Sequence, residues 1–148
     1  MVKLIGIIMK TFTVYRQSMK SKKQSVDIIN RVGWEGVKYC NNTSATLCLD
    51  CLCLTGDNPS KLAKAVFTIE KALEENVLFP VAKVTCENLE NAFTNTLSND
   101  KLWIENEHVT LLESTEEVFY NDTCCGDIFK DDQTGIFHVV LMMGFCEI

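Results

Sequence analysis

The segment Asp127-Ile-Phe-Lys-Asp-Asp-Gln-Thr-Gly-Ile-Phe-His-Val-Val-Leu-Met-Met-Gly-Phe145 places two apolar runs on either side of a polar loop. The loop residues 131–135 predict a hairpin in which Gly135 takes a positive φ. The run 136–143 is apolar on both faces, which is typical of a central strand. Because so short a loop joins antiparallel strands, this segment predicts an antiparallel pair in the sheet.

The strongest helix signal lies upstream of that hairpin. Thr55-Gly-Asp-Asn-Pro59 marks a turn in which Asp57 or Asn58 can cap a helix that begins at Pro59. Over 59–76 the apolar residues recur at spacings of three and four, which predicts an amphipathic helix. They are Leu62, Ala65, Val66, Ile69, Ala72 and Leu73. A second amphipathic helix is predicted over 87–97.

Three further strands are predicted from alternating apolar residues, at 3–15, 43–54 and 77–85. In 43–54 the leucines fall in pairs at a spacing of two, and the phase shifts around Asp50, which indicates a bulge. Pro80 lies within the predicted strand 77–85. Because proline cannot donate a ladder hydrogen bond, this strand is expected to lie at a sheet edge or to have Pro80 as its first residue.

Weaker patterns complete the secondary structure. The polar residues 17–23 predict a connecting loop, after which Ser25 caps a short helix that Gly33 ends. Residues 101–112 alternate and predict one bent strand or a pair of strands. Ser114–Glu117 matches a capping box at the start of another short helix.

Together these elements predict an α+β fold, with a mixed or mainly antiparallel sheet and about three to four helices packed on it. A chain of 148 residues with 47% hydrophobic content is typical of one globular domain spanning 1–148. Its apolar run Leu4–Met9 is shorter than the core of a signal peptide. We therefore expect a protein that is neither exported nor inserted in a membrane.

The cysteine content predicts the cellular compartment, and the charged residues are distributed unevenly along the chain. Eight cysteines in a hydrophobic chain predict reduced, mostly buried thiols and hence a reducing, cytoplasmic compartment. Residues 1–38 hold eight Lys/Arg and two acids, whereas 39–148 hold six Lys/Arg and eighteen acids. Whether the molecule is also polarised in space depends on the fold. The composition is compatible with a viral or other A/T-rich gene.

Neither a metal nor another cofactor is expected. Zinc sites combine two separated pairs of thiolate or imidazole ligands. The cysteines Cys40, Cys48, Cys51 and Cys53 contain one Cys-x2-Cys pair inside the predicted strand, and Cys124 and Cys125 are adjacent to each other. The acids Asp127, Asp131 and Asp132 lack the spacing of a calcium loop, so a hairpin turn explains them.

One segment resembles a cysteine protease. Phe137–Phe145, an apolar strand that begins with His138, resembles the histidine strand of papain-like enzymes, and Cys40 lies upstream as a nucleophile. The resemblance covers nine residues and implies a Cys40–His138 catalytic pair. The chain departs from the family because no tryptophan-containing helix start follows Cys40 and no Asp or Asn follows His138 to orient the ring.

The leading hypothesis is a non-enzymatic protein-interaction or regulatory domain, which works by binding another protein. Aromatic and basic side chains often anchor interfaces. The candidates of this kind are Arg16, Lys20, Lys22, Lys23, Trp34 and Trp103. The papain-like enzyme is one alternative, and an RNA-binding module that uses the basic segment 16–23 is another.

Overall fold

A computed structural model of the chain describes residues 3–4, 7–52, 58–97, 102–112, 126–141 and 144–147. Its strands are β1 (Lys3–Leu4), β2 (Ile7–Ile8), β3 (Lys10–Gln17), β4 (Leu78–Cys86), β5 (Val109–Leu111), β6 (Ile128–Asp131), β7 (Phe137–Leu141) and β8 (Gly144–Glu147). Its helices are α1 (Met19–Val37), α2 (Thr43–Leu52), α3 (Pro59–Glu74) and α4 (Leu89–Asn95), with a 3₁₀ turn at Trp103–Glu105.

The sheet has the order β5-β4-β3-β6-β7-β8, and each neighbouring pair is antiparallel. β1 and β2 form a separate antiparallel pair where one continuous strand was predicted. The α+β prediction with an antiparallel sheet is confirmed. The predicted hairpin is β6–β7, with Gly135 at a φ of 76°, and β7 lies between two strands as expected.

Helices cover both faces of this sheet. On one face, α2 and α3 pack through Leu47 and Ile69 against strand residues that include Ile128 and Val139. On the other face, α4 and the 3₁₀ turn pack on a cluster that contains Phe12, Val14, Phe129 and Trp103. α1 packs against α2, and its buried residues are Ser25 and Val37. We call α1, α2 and α3 together the helical layer.

The predicted helix at 59–76 is α3, and its cap is the expected one. Asn58 Oδ1 accepts a hydrogen bond from the Lys61 amide at 3.2 Å, and Pro59 occupies the first turn. Ala65, Ile69 and Ala72, all on the predicted apolar stripe, are fully buried. The second predicted helix is α4, which is shorter than expected.

The predicted strand at 43–54 is wrong, because residues 43–52 form the helix α2. The buried side chains of α2 include Ser44, Leu47 and Cys51, which are spaced by three and four residues as on one helix face. Asn42 caps this helix by accepting a hydrogen bond from the Ala45 amide at 2.9 Å. The leucine pairs at a spacing of two therefore do not define a strand.

The predicted loop at 17–23 is also wrong. Ser18 caps α1, because its hydroxyl oxygen accepts from the Ser21 amide at 3.1 Å, so the helix begins well before the predicted start at Ser25. The expected break at Gly33 is present as a kink with φ of 70°, after which the helix continues to Val37. The basic residues that follow Ser18 thus lie on a helix.

Pro80 lies inside the sheet without breaking it. β5 pairs with Ala82–Val84 of β4 and leaves Pro80 outside that register. On the other side the register shifts between Val14, paired with Ala82, and Tyr15, paired with Pro80. Proline is tolerated at a bulge of this kind.

Over 102–112 only β5 is a strand, since Trp103–Glu105 form the 3₁₀ turn.

The three acids of the hairpin region each pair with a cation, which supports their structural interpretation. The pairs are Asp127 with Arg16 at 3.1 Å, Asp131 with Lys10 at 3.3 Å and Asp132 with Lys83 at 2.7 Å. These ion pairs connect the hairpin to β3 and β4. Burial raises the pKa of Asp131, but hydrogen bonds from the Gln133 amide, from Lys10 and from the Thr134 amide outweigh it and hold that pKa below its usual value.

The predicted capping box at Ser114–Glu117 and the cysteines Cys53, Cys124 and Cys125 lie outside the described residues.

Candidate functional site

Arg16 and Trp103 are core residues, which corrects their assignment to a binding surface. The Arg16 side chain is 1% exposed, and its Nη2 lies 3.1 Å from Asp127 Oδ2. Its guanidinium also stacks over the Trp103 ring, 5.2 Å from the centroid. Trp103 is itself 1% exposed. Neither side chain is therefore accessible to a partner.

The three lysines of the predicted basic segment lie in the first turns of α1. Lys20 and Lys23 are exposed, whereas Lys22 is half-buried. The first turn contains no acidic residue. Positive side chains at a helix N-terminus are unfavourable next to the helix dipole. The stability of α1 therefore does not explain why these lysines are present.

The structure does not bring Cys40 and His138 together. Cys40 lies in the turn after α1, and its thiol donates to the Gly36 carbonyl at 3.3 Å. His138 pairs with Phe129 and contacts the Phe12 ring, so it lies on the face that α4 covers. Burial lowers the pKa of His138. The sheet thus separates the two side chains, and a catalytic pair receives no geometric support.

A different Cys–His pair, which sequence reasoning missed, shares a groove of about 220 Å³ beside α4. Burial raises the pKa of the Cys86 thiol to about 11, and the thiol donates to the Asn88 carbonyl at 3.2 Å. His108 Nε2 lies 3.5 Å from Glu107 Oε1, on the exposed rim. Because a thiol with so high a pKa is almost wholly protonated near neutral pH, Cys86 is a poor nucleophile.

The helical layer exposes three large aromatic side chains on or next to its helices. Trp34, near the end of α1, is 44% exposed, as expected for a candidate binding residue. Tyr39, in the following turn, is 87% exposed, and Phe67, in the middle of α3, is 67% exposed. Exposed aromatic side chains are candidates for anchoring a partner, because aromatic residues are enriched at interfaces.

Phe67 lines a groove of about 150 Å³ between α3 and the start of α2. Lys64 and Lys71 line the same groove, three residues before and four residues after Phe67. This spacing places all three side chains on one face of α3. Asn41 and Asn42 line the opposite wall, directly after the turn that carries Tyr39.

A second groove continues this surface toward α1. Glu35 and Lys38 line it, together with Lys61 of α3. Asp50 and Lys64 line both grooves and join them, with Lys64 Nζ 3.7 Å from Asp50 Oδ1. We call these two grooves, together with the exposed Trp34 and Tyr39, which are next in sequence to the groove residues Glu35 and Lys38, the outer helical surface.

Phe67 could have been identified from the sequence. In the predicted helix 59–76 it falls outside the apolar stripe, so the periodicity already places a large aromatic side chain on the solvent face. Tyr39 has no such signal, since its exposure depends on how α1 packs against α2.

Charge is polarised in space across the sheet. The helical layer carries exposed lysines and acids in mixture, whereas the described residues 87–97 and 102–112 on the opposite face contain four glutamates and neither Lys nor Arg. Glu87, Glu90, Glu105 and Glu107 are all exposed. The outer helical surface is thus the side of the molecule that an acidic partner would approach.

The comparisons with protein-family models, with curated proteins and with solved structures found no match for this chain. Among the described residues, no group of three or more His, Cys, Asp or Glu side chains is placed to hold a metal ion. Within the same residues, no helix is both long and apolar enough to cross a membrane.

Proposed function

We propose that this protein is a non-enzymatic interaction domain that binds another protein through the outer helical surface. The exposed Phe67, flanked on one helix face by Lys64 and Lys71, is the observation that carries the proposal. A phenylalanine two-thirds exposed in the middle of a helix contributes little to folding, whereas aromatic anchors dominate the affinity of protein interfaces.

The charge around Phe67 indicates the kind of partner. Lys64 is paired with Asp50, but Lys61 and Lys71 have no acidic side chain within ion-pair distance among the described residues. A protein segment with an apolar side chain for the groove and acidic residues beside it would complement this surface. Interspersed acids such as Glu35, Glu70 and Glu74 favour a protein over a polyanionic nucleic acid, because they repel phosphates along a continuous strand.

Site-specific photocrosslinking tests the proposal. A benzophenone amino acid at position 67 is expected to crosslink one protein in cells of the source organism. The same amino acid at position 90, exposed on α4 across the sheet, is expected to leave that protein uncrosslinked. The captured protein, once purified, should bind the wild type and lose about thirtyfold in affinity for Phe67→Ser, as expected for an anchor worth about 2 kcal/mol.

The control variant is Leu111→Ser, since Leu111 is also exposed but lies on the edge strand β5 and lines neither groove of the outer helical surface. It should bind with wild-type affinity. If Phe67→Ser and Leu111→Ser bind alike, the outer helical surface is not the interface. A crosslink at position 67 that nuclease treatment removes would instead identify a nucleic acid, and a crosslink to a second copy of this chain would identify self-association; either result refutes the proposal.

A further inference from the structure

A cavity of about 190 Å³ lies between α1, α2 and the end of β3. Two of its lining residues are thiols, Cys48 and Cys51, and both belong to α2. Neither thiol is part of a disulfide, and neither residue lines a groove of the outer helical surface. The cavity therefore presents a pair of thiols that the proposed protein-binding surface does not use.

The spacing of the two cysteines suits a bridging metal ion better than a disulfide. Residues three apart on a helix share a face, with Cβ atoms about 5–6 Å apart. A disulfide needs Cβ atoms about 3.5–4.5 Å apart, so a bond between Cys48 and Cys51 would distort α2. An ion bound to both sulfurs at about 2.3 Å, the length of a zinc–thiolate bond, spans about 4.6 Å between them. Two side chains on one helix face can supply that separation.

The ligand set selects a soft, monovalent ion. Zinc sites use at least three protein ligands. Within the described ranges, no group of three or more His, Cys, Asp or Glu side chains is placed to hold a metal ion. Asp127 also lines the cavity, but its carboxylate is paired with Arg16 at 3.1 Å. Soft thiolate ligands favour Cu(I), and two of them complete its linear coordination.

A fixed amide supports one of the two sulfur atoms. Gln17 Nε2 donates to Cys48 Sγ over 3.7 Å. Gln17 Oε1 accepts a hydrogen bond from Ser44 Oγ at 2.6 Å, and both residues are buried, so the orientation of the amide is determined. A donor directed at a sulfur favours its charged form. Hydrogen bonds of this kind orient the ligands of metal sites.

The cavity also has the access and the apolar wall that such an ion needs. Val26 lines it and is 56% exposed, so the cavity can be reached from solvent along this side chain. An entry path of this kind is required of any metal site. Leu47, which is buried, lines the wall next to Cys48 in sequence. Apolar side chains around a metal site limit its contact with water.

We propose that Cys48 and Cys51 bind one Cu(I) ion in this cavity. Both thiols release their protons to the solvent, and each sulfur donates an electron pair to the ion, whose oxidation state does not change. The complex carries one negative charge, which the amide donor of Gln17 stabilises. The site is separate from the proposed protein interface and goes beyond that function.

A competition without oxygen tests the site. The full, reduced chain is titrated into the coloured Cu(I) complex of bicinchoninate, and the loss of colour measures the Cu(I) that the protein withdraws. Cys48→Ala and Cys51→Ala should each weaken the binding of one ion more than about a hundredfold, because a lost ligand costs more than a lost second-shell partner, which costs about 10–100-fold. Cys40→Ala is the matched control, since it removes an exposed thiol that does not line the cavity, and it should bind like the wild type.

Thiol labelling of the wild type locates the ion without any substitution. One equivalent of Cu(I) should slow the alkylation of Cys48 by iodoacetamide at least about tenfold, because a metal-bound thiolate is not available as a nucleophile. The labelling of Cys40 should not change, and Zn(II) should protect neither thiol. Circular dichroism spectra that match the wild type establish that the variants fold.

Three results would each overturn the proposal. The first is no protection of Cys48 by Cu(I), or equal protection by Zn(II). The second is a Cu(I) affinity of Cys48→Ala equal to that of the wild type. The third is loss of the tightly bound ion in Cys124→Ala/Cys125→Ala but not in Cys48→Ala, which would place the ion on the adjacent thiols instead.

Discussion

The buried ion pair between Arg16 and Asp127 should dominate the response of this domain to mutation. Both side chains are almost wholly inaccessible, at 1% and 3% exposure, and their charged atoms lie 3.1 Å apart. The perturbation is Asp127→Asn, which keeps the size of the side chain and removes its charge. The guanidinium then stays buried next to Trp103 without the carboxylate that compensates it.

The expected loss follows from this geometry. Coulomb's law with an effective dielectric constant of about 20 yields about 5 kcal/mol for unit charges at this separation. Removal of one partner from other buried ion pairs costs about 3–5 kcal/mol. Asp127→Asn should therefore lower the free energy of unfolding by about 3–5 kcal/mol. Domains have a total stability of about 5–15 kcal/mol, so the loss would be a large share of it.

Urea unfolding followed by circular dichroism measures this loss, and a double-mutant cycle isolates the interaction. Arg16→Met keeps an apolar stem beside Trp103, and the double variant Arg16→Met/Asp127→Asn leaves no buried charge in the pair. The double variant should be at least about 2 kcal/mol more stable than the sum of the single losses implies. Additivity within about 0.5 kcal/mol would show that the two charges do not interact, and would refute the reasoning.

Three further predictions concern pH, thiol reactivity and helix capping. Because the folded pKa of Asp131 is lower than the ordinary value of about 3.9, its contribution to stability is present above that value and is lost as the pH falls through the folded pKa. Asp131→Asn should therefore flatten the fall in unfolding free energy as the pH drops below about 3.9 in urea titrations. At about pH 8, iodoacetamide should label the exposed Cys40 within minutes. Cys86, whose pKa is about 11, should react far more slowly. Similar labelling rates at the two thiols would contradict the burial of Cys86. Asn58→Ala should destabilise the protein by about 1 kcal/mol, because it removes the acceptor of the Lys61 amide at the start of α3, and an unchanged urea midpoint would show that the cap contributes nothing.

Local signals were sufficient where a few adjacent residues define the structure. Asn58 and Pro59 mark the start of α3, and Gly135 marks the hairpin, since a cap, a first-turn proline and a positive φ each depend on neighbouring atoms. The same holds for the exposed position of Phe67, which follows from the periodicity of its helix.

Local signals failed where two periods fit the same residues. The run Leu47–Leu52 is apolar at nearly every position except Asp50, so a spacing of two and a spacing of four are both present. These residues form a helix because α2 packs against both α1 and α3. In addition, Thr68 of α3 donates a hydrogen bond to Asp50 Oδ2 at 2.7 Å. Neither contact can be recognised within the run itself.

The amino-acid sequence alone was enough for the fold class, the β6–β7 hairpin and α3, because turns, caps and amphipathic stripes act over a few residues. Only the tertiary structure revealed that Arg16 and Trp103 are buried and that Cys40 and His138 are separated by the sheet. The physical reason is that burial and proximity depend on contacts between segments far apart in the chain, such as Arg16 with Asp127, whose pairing has no local signal.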